Sequence, residues 1–467
     1  MKITVQSSKL VTGSSSGGRP SSADAAEAVP LTVFDKLHYD LYVHALYFFH
    51  PPAPPSSVLE AGLAAALAEY PEWAGRLGVD ARGNRAILLN GAGARLVEAT
   101  AAAADVCSLD SVVPPEPATP ATMSLHPSAE DAVDGEVLLL QVTRFACGSF
   151  VVGTAVQHVV GDGAAFHCFV SAWGQASRGA AVDPAPVHDR VSFFVPRHPP
   201  LVEFEHRGAE YKRPPRPREG EEKAGGSESG AKAKANADVG EKQLVTRRVN
   251  FSREFVAELK TRASAGAPLP RRYSTLQCVA AHLWRCVTRA RRLDARARTT
   301  LRIAVNGRSR MRNPRVPEAY AGNVVLWARA TAAAGGLVRS PLPEAVRLVS
   351  EAVAAVDDAY FRSVIDFASS GALEEEGLVP AADPLETVFS PDVEVYSLLG
   401  ASFQDFDFGG GPPFFFMPSY SPVEGAVFVV SSFSGDGSID AYVPLFSHAM
   451  DIFDKCCHSL PAADARL

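Results

Sequence analysis

The sequence predicts a mixed α/β protein of two domains, and three observations carry that expectation. Strand-like and helix-like stretches alternate in both halves of the chain, which favours α/β or α+β over an all-helical or all-β design. The length, 467 residues, exceeds what one ordinary core fills, so two domains of roughly 200 residues each are expected. Between the halves, from about 212 to 242, runs a charged stretch rich in Gly and Pro with almost no large apolar side chains. Such a segment cannot bury enough surface to offset its own ordering, so it reads as a mobile crossover loop. The expected organisation is a first domain over 1–200, a crossover over 201–244 and a second domain over 245–467.

The elements follow in order. Residues 2–12 alternate as a first strand, and 57–69 form a helix with Leu59, Leu63 and Leu67 on one stripe and Ser57 as its N-cap. Leu138–Arg144 and Ser149–Gln157 read as two strands joined at Cys147-Gly148, and Phe166, Phe169, Val170 and Trp173 mark one face of the helix that follows. In the second half Val245–Phe251 is a strand, Ser252 opens a helix to about Ser264, and Tyr273–Ala290 is another helix. Leu301–Val305 is a strand leading to a polar turn at Asn306–Arg312; 341–371 is mostly helical, and 426–432 and 438–443 are strands.

Composition narrows the function. Hydrophobic residues at 47% and charged ones at 21% are ordinary for a soluble globular chain. With 45 basic against 52 acidic residues the net charge is −7, which argues against nucleic acid as a partner. No apolar run approaches the ~20 residues of a membrane span, and the N-terminus lacks a signal-peptide core, so a cytoplasmic protein with no membrane partner is expected. The seven cysteines form no CxxC pair; neither a zinc knuckle nor a dithiol site is indicated, and Cys147 and Cys168 read as reduced core residues.

Two motifs carry chemistry. The stretch QHVVGDG at 157–163 places His158 at a strand end and Asp162 near a helix start, in a turn punctuated by Gly161 and Gly163. An imidazole presented on such a rigid junction can serve as a base near neutral pH, or be a hydrogen-bonded core residue. Asp162 either caps the helix or pairs with an arginine. Metal binding is not indicated, since two ligands need a third. The second motif, DFDFGGGPP at 405–413, is a rigid loop with no following Lys-Ser/Thr to suggest a nucleotide site. A serine-hydrolase reading fails because no GxSxG elbow exists.

With HVVGDG at 158–163 and DFGGG at 407–411, the chain resembles the plant BAHD acyltransferases, which carry HxxxDG in mid-chain and DFGWG near the C-terminus. VPLTVFD at 29–35, YPEWAGRL at 70–77, STLQCVAAHLWR at 274–285, NGR at 306–308 and YAGN at 320–323 extend the resemblance over essentially the whole chain. The opening MKITVQSSKLV and the stretch DFGGGPPFFFMPSY are similar to cereal enzymes that acylate agmatine or tryptamine. Gly410 stands where the broader family has Trp, and Asn306 where it commonly has Asp, so an ion pair from that Asp is absent.

The resemblance implies two chloramphenicol-acetyltransferase-like domains with a solvent tunnel between them, acyl-CoA as co-substrate, no permanently bound cofactor or metal, and a monomer. It implies His158 as general base, Asp162 pointing away from the cavity to Arg308, with Gly163 as further structural support, and Asp407 as a structural residue sometimes assigned a second proton-accepting role. Ser274 and Thr275, at a helix start, and Lys260 would meet CoA phosphates. The implied reaction moves a hydroxycinnamoyl or benzoyl group from CoA to an amine such as tryptamine or agmatine. The alternatives are an O-acyltransferase acting on a shikimate-like or other alcohol, and a non-catalytic binding relative. Agmatine needs a carboxylate, for which Asp392 and Glu394 are candidates; tryptamine needs an aromatic slot, for which Phe414, Phe415, Phe416 and Tyr420 are, unless they form a packed strand.

Overall fold

The computed structural model describes residues 2–13, 27–101, 124–128, 132–133, 135–214, 243–265, 273–418 and 423–460. Most of the expected crossover loop, and Tyr420, lie outside the described residues. Two six-stranded sheets organise the chain. The first runs, in spatial order, Ile3–Val11, Ala94–Ala101, Leu138–Arg144, Phe150–Gln157, Tyr42–Phe49 and Phe415–Met417. Phe150–Gln157 is buried at every position, as an apolar β-branched run must be when both faces of its sheet are covered. It pairs antiparallel with Leu138–Arg144 on one side and Tyr42–Phe49 on the other.

Helices Ser56–Glu69 and Gly163–Ser177 lie together on this half. Trp173 Nε1 donates to the Leu59 carbonyl at 2.9 Å, and a Cβ at Gly62 would stand 2.0 Å from Ser177 Oγ, so glycine sets how closely the helices approach. The first helix begins at Ser56, with Pro55 as its cap and no side-chain cap bond, so the expected cap at Ser57 is not made. Ser56 Oγ donates instead to Glu98 on the neighbouring strand, at 2.6 Å, and Pro55 supplies a fixed φ at the entry.

The second sheet runs Leu244–Phe251, Ile439–Phe446, Ala426–Ser431, Val393–Leu398, Arg298–Asn306 and Val325–Ala333. Helix Thr275–Ala290 packs against it through a largely buried surface. Trp284 Nε1 donates to Thr299 Oγ1 at 3.0 Å, joining this helix to the strand Arg298–Asn306.

The sequence halves interleave. Phe415–Met417 pairs with Leu46–Phe48 of the first sheet, and Phe406 and Phe408 sit in the first core beside Tyr47, Phe49 and Trp173. Conversely Phe34, Leu37 and Phe194 belong to the second core. Phe415 and Phe416 are therefore a packed strand, and Phe414 stacks on His50 at 4.1 Å between ring centroids. Cys147, expected in the core, is exposed at the turn between two strands. Among the described residues no helix is long and apolar enough to cross a membrane, and no group of three or more His, Cys, Asp or Glu is placed to hold a metal.

The contact between helix Gly163–Ser177 and the loop 405–411 leaves no room for a methyl group. A Cβ at Gly174 would lie 2.3 Å from the Asp405 carbonyl and 2.7 Å from the Asp407 nitrogen. Gly174→Ala is expected to lower stability by about 1–3 kcal/mol through this overpacking, read as a fall in the denaturant midpoint.

Candidate active site

His158 is the first residue after the strand Phe150–Gln157. Its backbone N–H donates to the Leu41 carbonyl at 3.1 Å, which holds the turn to the chain entering strand Tyr42–Phe49. The ring is half-buried and stacks on His38, with centroids 4.7 Å apart and planes inclined by 23°. Nδ1 of His158 and Oδ1 of Asn323 are each buried without a hydrogen-bond partner among the described residues, and the Asn323 carboxamide raises the affinity of the ring for a proton. Asn323 is itself fixed: Nδ2 donates to Asp35 Oδ1 at 2.9 Å and to the His158 carbonyl at 3.0 Å. Burial outweighs the help of Asp162, Asn323 and Asp35 and pulls the His158 pKa below its ordinary 6.5. The imidazole is therefore neutral at pH 7, as a proton acceptor must be.

Asp162 points the other way. Its Oδ1 caps helix Gly163–Ser177 by accepting from Ala164 N at 3.1 Å and Ala165 N at 3.0 Å. Its Oδ2 accepts from Arg308 Nη1 at 2.8 Å and Val324 N at 3.0 Å. Both roles read from the sequence, cap and arginine partner, are filled by one carboxylate. Burial alone would raise its pKa; the Arg308 charge and the N–H donors outweigh it and hold it below the usual range. Arg308 is buried too, and its Nη2 donates to the carbonyls of Tyr320 and Gly322 at 2.8 and 2.9 Å. Asn306 keeps part of the lost Asp's function without charge, its Oδ1 accepting from Arg308 N at 3.0 Å and Nη1 at 3.3 Å.

One expectation changes. Gly163, expected to support the turn, is exposed; its φ is not positive and a Cβ there would meet nothing within 4 Å. The steric demand falls on Gly161, where a Cβ would lie 3.1 Å from Ala165, Trp73 and the Ala321 carbonyl. Asp407 is not beside His158. Its Oδ1 accepts from Gly409 N and Gly411 N at 2.7 and 2.8 Å, and its Oδ2 lies 3.9 Å from Arg178. That places it against Gly174 and Arg178, at the far end of a helix whose start is capped by Asp162. Eleven residues of helix separate the two ends by about 17 Å. Asp407 braces its loop, a helix length from the turn that carries His158.

Lys260, Ser274 and Thr275 do come together, at the exposed start of helix Thr275–Ala290. Lys260 Nζ is 3.4 Å from Thr275 Oγ1. Ser274 is engaged in a capping box, its Oγ accepting from Gln277 N at 3.2 Å while Gln277 Oε1 accepts from Ser274 N at 2.8 Å. The two candidate carboxylates are also separated. Asp392 Oδ1 accepts from Thr300 N at 2.8 Å and secures the strand. Glu394 is buried, 3.2 Å from Arg302, and accepts from the hydroxyls of Tyr39 and Tyr396. Burial pushes its carboxyl pKa up against the pull of Arg302.

Sequence reasoning missed His38, Asn323 as the group beside His158, and the buried pair Asp35–Arg190 at 2.9 Å. Arg190 Nη2 also donates to the Val160 carbonyl at 2.7 Å, inside the turn itself. Asp35 and Asn323 lie in VPLTVFD and YAGN, so their segments were flagged without their roles. His38 had no such signal, because its significance depends on a contact with a distant strand end.

The family model described as the Transferase family matches residues 1–459. The chain belongs to that family, the BAHD group its motifs resemble. Agmatine coumaroyltransferase-1 of Hordeum vulgare is 55% identical over 98% of this chain and 100% of its own length. Agmatine hydroxycinnamoyltransferase 1 of Oryza sativa subsp. japonica is 56% identical over 99% of each. Among solved structures, TRI101 of F. sporotrichioides complexed with coenzyme A and T-2 has a TM-score of 0.68 at 18% identity, covering 91% of this chain and 96% of that one. That likeness shows the shared two-domain acyltransferase fold.

The roles separated above give different outcomes in this family member. Asp162→Ala strands Arg308 and is expected to cost about 3–5 kcal/mol, the penalty for breaking one side of a buried ion pair. Asp407→Asn keeps one acceptor oxygen and should cost about 1 kcal/mol while leaving the rate of acyl transfer near that of the parent. Urea unfolding paired with a free-CoA assay reads both.

Proposed function

We propose that this protein is an acyl-CoA-dependent N-acyltransferase that moves a hydroxycinnamoyl or benzoyl group from CoA to a primary amine, giving a phenolamide and free CoA. One observation carries the reading. The His158 imidazole is neutral and lies beside the Asn323 carboxamide, and Nε2 is assigned as its proton-accepting atom. Full-length identity above half with two agmatine acyltransferases supports an amine with a cationic tail as acceptor.

The step balances on these groups. The amine nitrogen attacks the thioester carbonyl, His158 takes a proton from that nitrogen, and the C–N bond replaces the C–S bond as the intermediate collapses. The proton passes to the departing CoA sulfur, returning His158 to its neutral form. The thioester is already activated, so the site needs no enzyme nucleophile. Asp162 and Asp407 take no part; the first holds the turn and the second its own loop. Phosphates of CoA are assigned to the start of helix Thr275–Ala290, with Lys260 supplying charge and Ser274 serving as cap. The guanidinium of an agmatine-like acceptor is assigned to Glu394, to which Tyr39 and Tyr396 donate their hydroxyls, setting two aromatic rings beside it. The folding units are assigned as 1–200 and 245–467, exchanging the short segments described above.

The decisive experiment sets p-coumaroyl-, feruloyl- and benzoyl-CoA against agmatine, putrescine, tryptamine, tyramine and shikimate, with products identified by mass. Amides from the amines are expected; acylation confined to shikimate overturns the amine reading. His158→Ala should abolish free-CoA release at unchanged stability. In the parent enzyme the base works when neutral, and its pKa is lowered, so kcat should stay flat down through pH 6.5 and fall on the acid side of it. An acid limb centred above 6.5 contradicts the burial effect. Lys260→Ala should raise KM for acyl-CoA roughly fivefold, the scale of an exposed charge contact, and leave KM for the 3′-dephospho-CoA thioester unchanged.

A further inference from the structure

We infer that His38 is a second, acceptor-orienting imidazole, whose Nε2 takes a hydrogen bond from the N–H that the acceptor nitrogen keeps in the amide, selecting amines over alcohols. The inference rests on the N-acyltransferase reading and adds to it a residue that no motif marks. His38 follows Asp35 by three positions and is 7% exposed. Its ring lies over that of His158 at 4.7 Å, and its Nε2 is buried with no hydrogen-bond partner among the described residues. The Val325 backbone raises the affinity of the His38 ring for a proton, against the pull of burial. With Nε2 unpartnered, the Nδ1 side is assigned to Val325, which puts a bare lone pair on Nε2.

Orientation follows from one short segment. The Asn323 carboxamide acts on the His158 ring, and the Val325 backbone, two residues further on, acts on the His38 ring. Assigning both Nδ1 atoms to the 323–325 side leaves, in two stacked rings, both Nε2 atoms side by side on the other. Burial and the neighbouring His158 push the His38 pKa down to about 3; His38 is therefore an acceptor of hydrogen bonds at any working pH and does not compete for the proton.

Two adjacent lone pairs match one kind of nucleophile. A neutral primary amine brings two N–H groups. The one lost to His158 ends on the CoA sulfur, and the other stays in the product amide. An alcohol brings a single O–H, which His158 takes, and leaves its own lone pair facing that of His38. A buried acceptor left without its donor is costly, and a site built to bond a substrate group rejects analogues lacking it.

The test is the ratio of kcat/KM for a primary amine to that for the alcohol with the same tail, tryptamine against tryptophol and agmatine against 4-guanidinobutanol. His38→Phe keeps a stacked ring and removes the acceptor atom. It is expected to lower the ratio by about tenfold or more, with loss on the amine side. His38→Gln restores an acceptor oxygen and should recover most of the ratio. Because both substrates are read on one preparation, a partly folded variant changes both rates alike and leaves the ratio untouched. A ratio unchanged in His38→Phe overturns the role of His38, while amine acylation by the parent enzyme still upholds the parent reading. A parent enzyme that acylates no amine overturns both.

Discussion

The buried ion pair between Asp162 and Arg308 is the constraint from which the geometry of the site follows. Neither charge is solvated, so each must be satisfied within the protein. The carboxylate divides its oxygens between a helix start and the guanidinium, and the guanidinium divides its donors between the carboxylate and the carbonyls of Tyr320 and Gly322. Each end thus fixes a piece of backbone. On one side is the turn that carries His158; on the other is the segment 320–324 that carries Asn323. The imidazole and the amide beside it keep their spacing because both are tied to the same pair of charges.

A second buried pair, Asp35 with Arg190, repeats the device from the opposite direction. Asp35 accepts from Asn323 through both backbone and side chain, at 3.2 and 2.9 Å, and Arg190 reaches the Val160 carbonyl in the turn. Replacing such pairs with apolar side chains often costs no stability, but apolar contacts lack direction. Here direction matters: Asn323 must present Oδ1, and not Nδ2, to His158. The bonds from Nδ2 to Asp35 and to the His158 carbonyl leave Oδ1 as the unpartnered atom of the amide.

Local structure was legible because its causes are local. The apolar run ending at Gln157, the amphipathic stripe through Trp173, and the caps at Ser252 and Ser274 follow from patterning and short-range bonding. His158, Asp162 and Arg308 were legible through the motif and its ordered companions. Non-local pairing was not. Nothing in the residues FFM at 415–417 says that they join the first sheet, since an edge strand accepts any partner of suitable pattern. Asp407 sits against Gly174 and Arg178, toward the far end of the helix that Asp162 caps, and no sequence spacing carries that information. Gly163 misled for a related reason: a glycine next to a motif residue invites a steric explanation, which belongs two residues earlier at Gly161.

The lowered pKa of His158 constrains the order of events on the proposed reading. A primary ammonium has a pKa near 10.4, and an imidazole below 6.5 lies at least about four units lower, so direct proton removal is uphill by more than about 5 kcal/mol. Burial that keeps the base neutral also weakens it. The same burial acts on the amine, because a desolvated ammonium loses much of its preference for the charged form. The amine therefore sheds its first proton to solvent on the way in. His158 acts later, when C–N bond formation has placed positive charge on nitrogen and made the remaining proton far more acidic. A weak, neutral, fixed base suits that moment, and a stronger one would arrive already protonated by its substrate. The distal cation of an agmatine-like acceptor faces no such requirement. Its proposed partner Glu394 sits on the second sheet beside Arg302 and two tyrosine hydroxyls, so the charge that identifies the substrate and the charge that must be removed from it are handled by different groups.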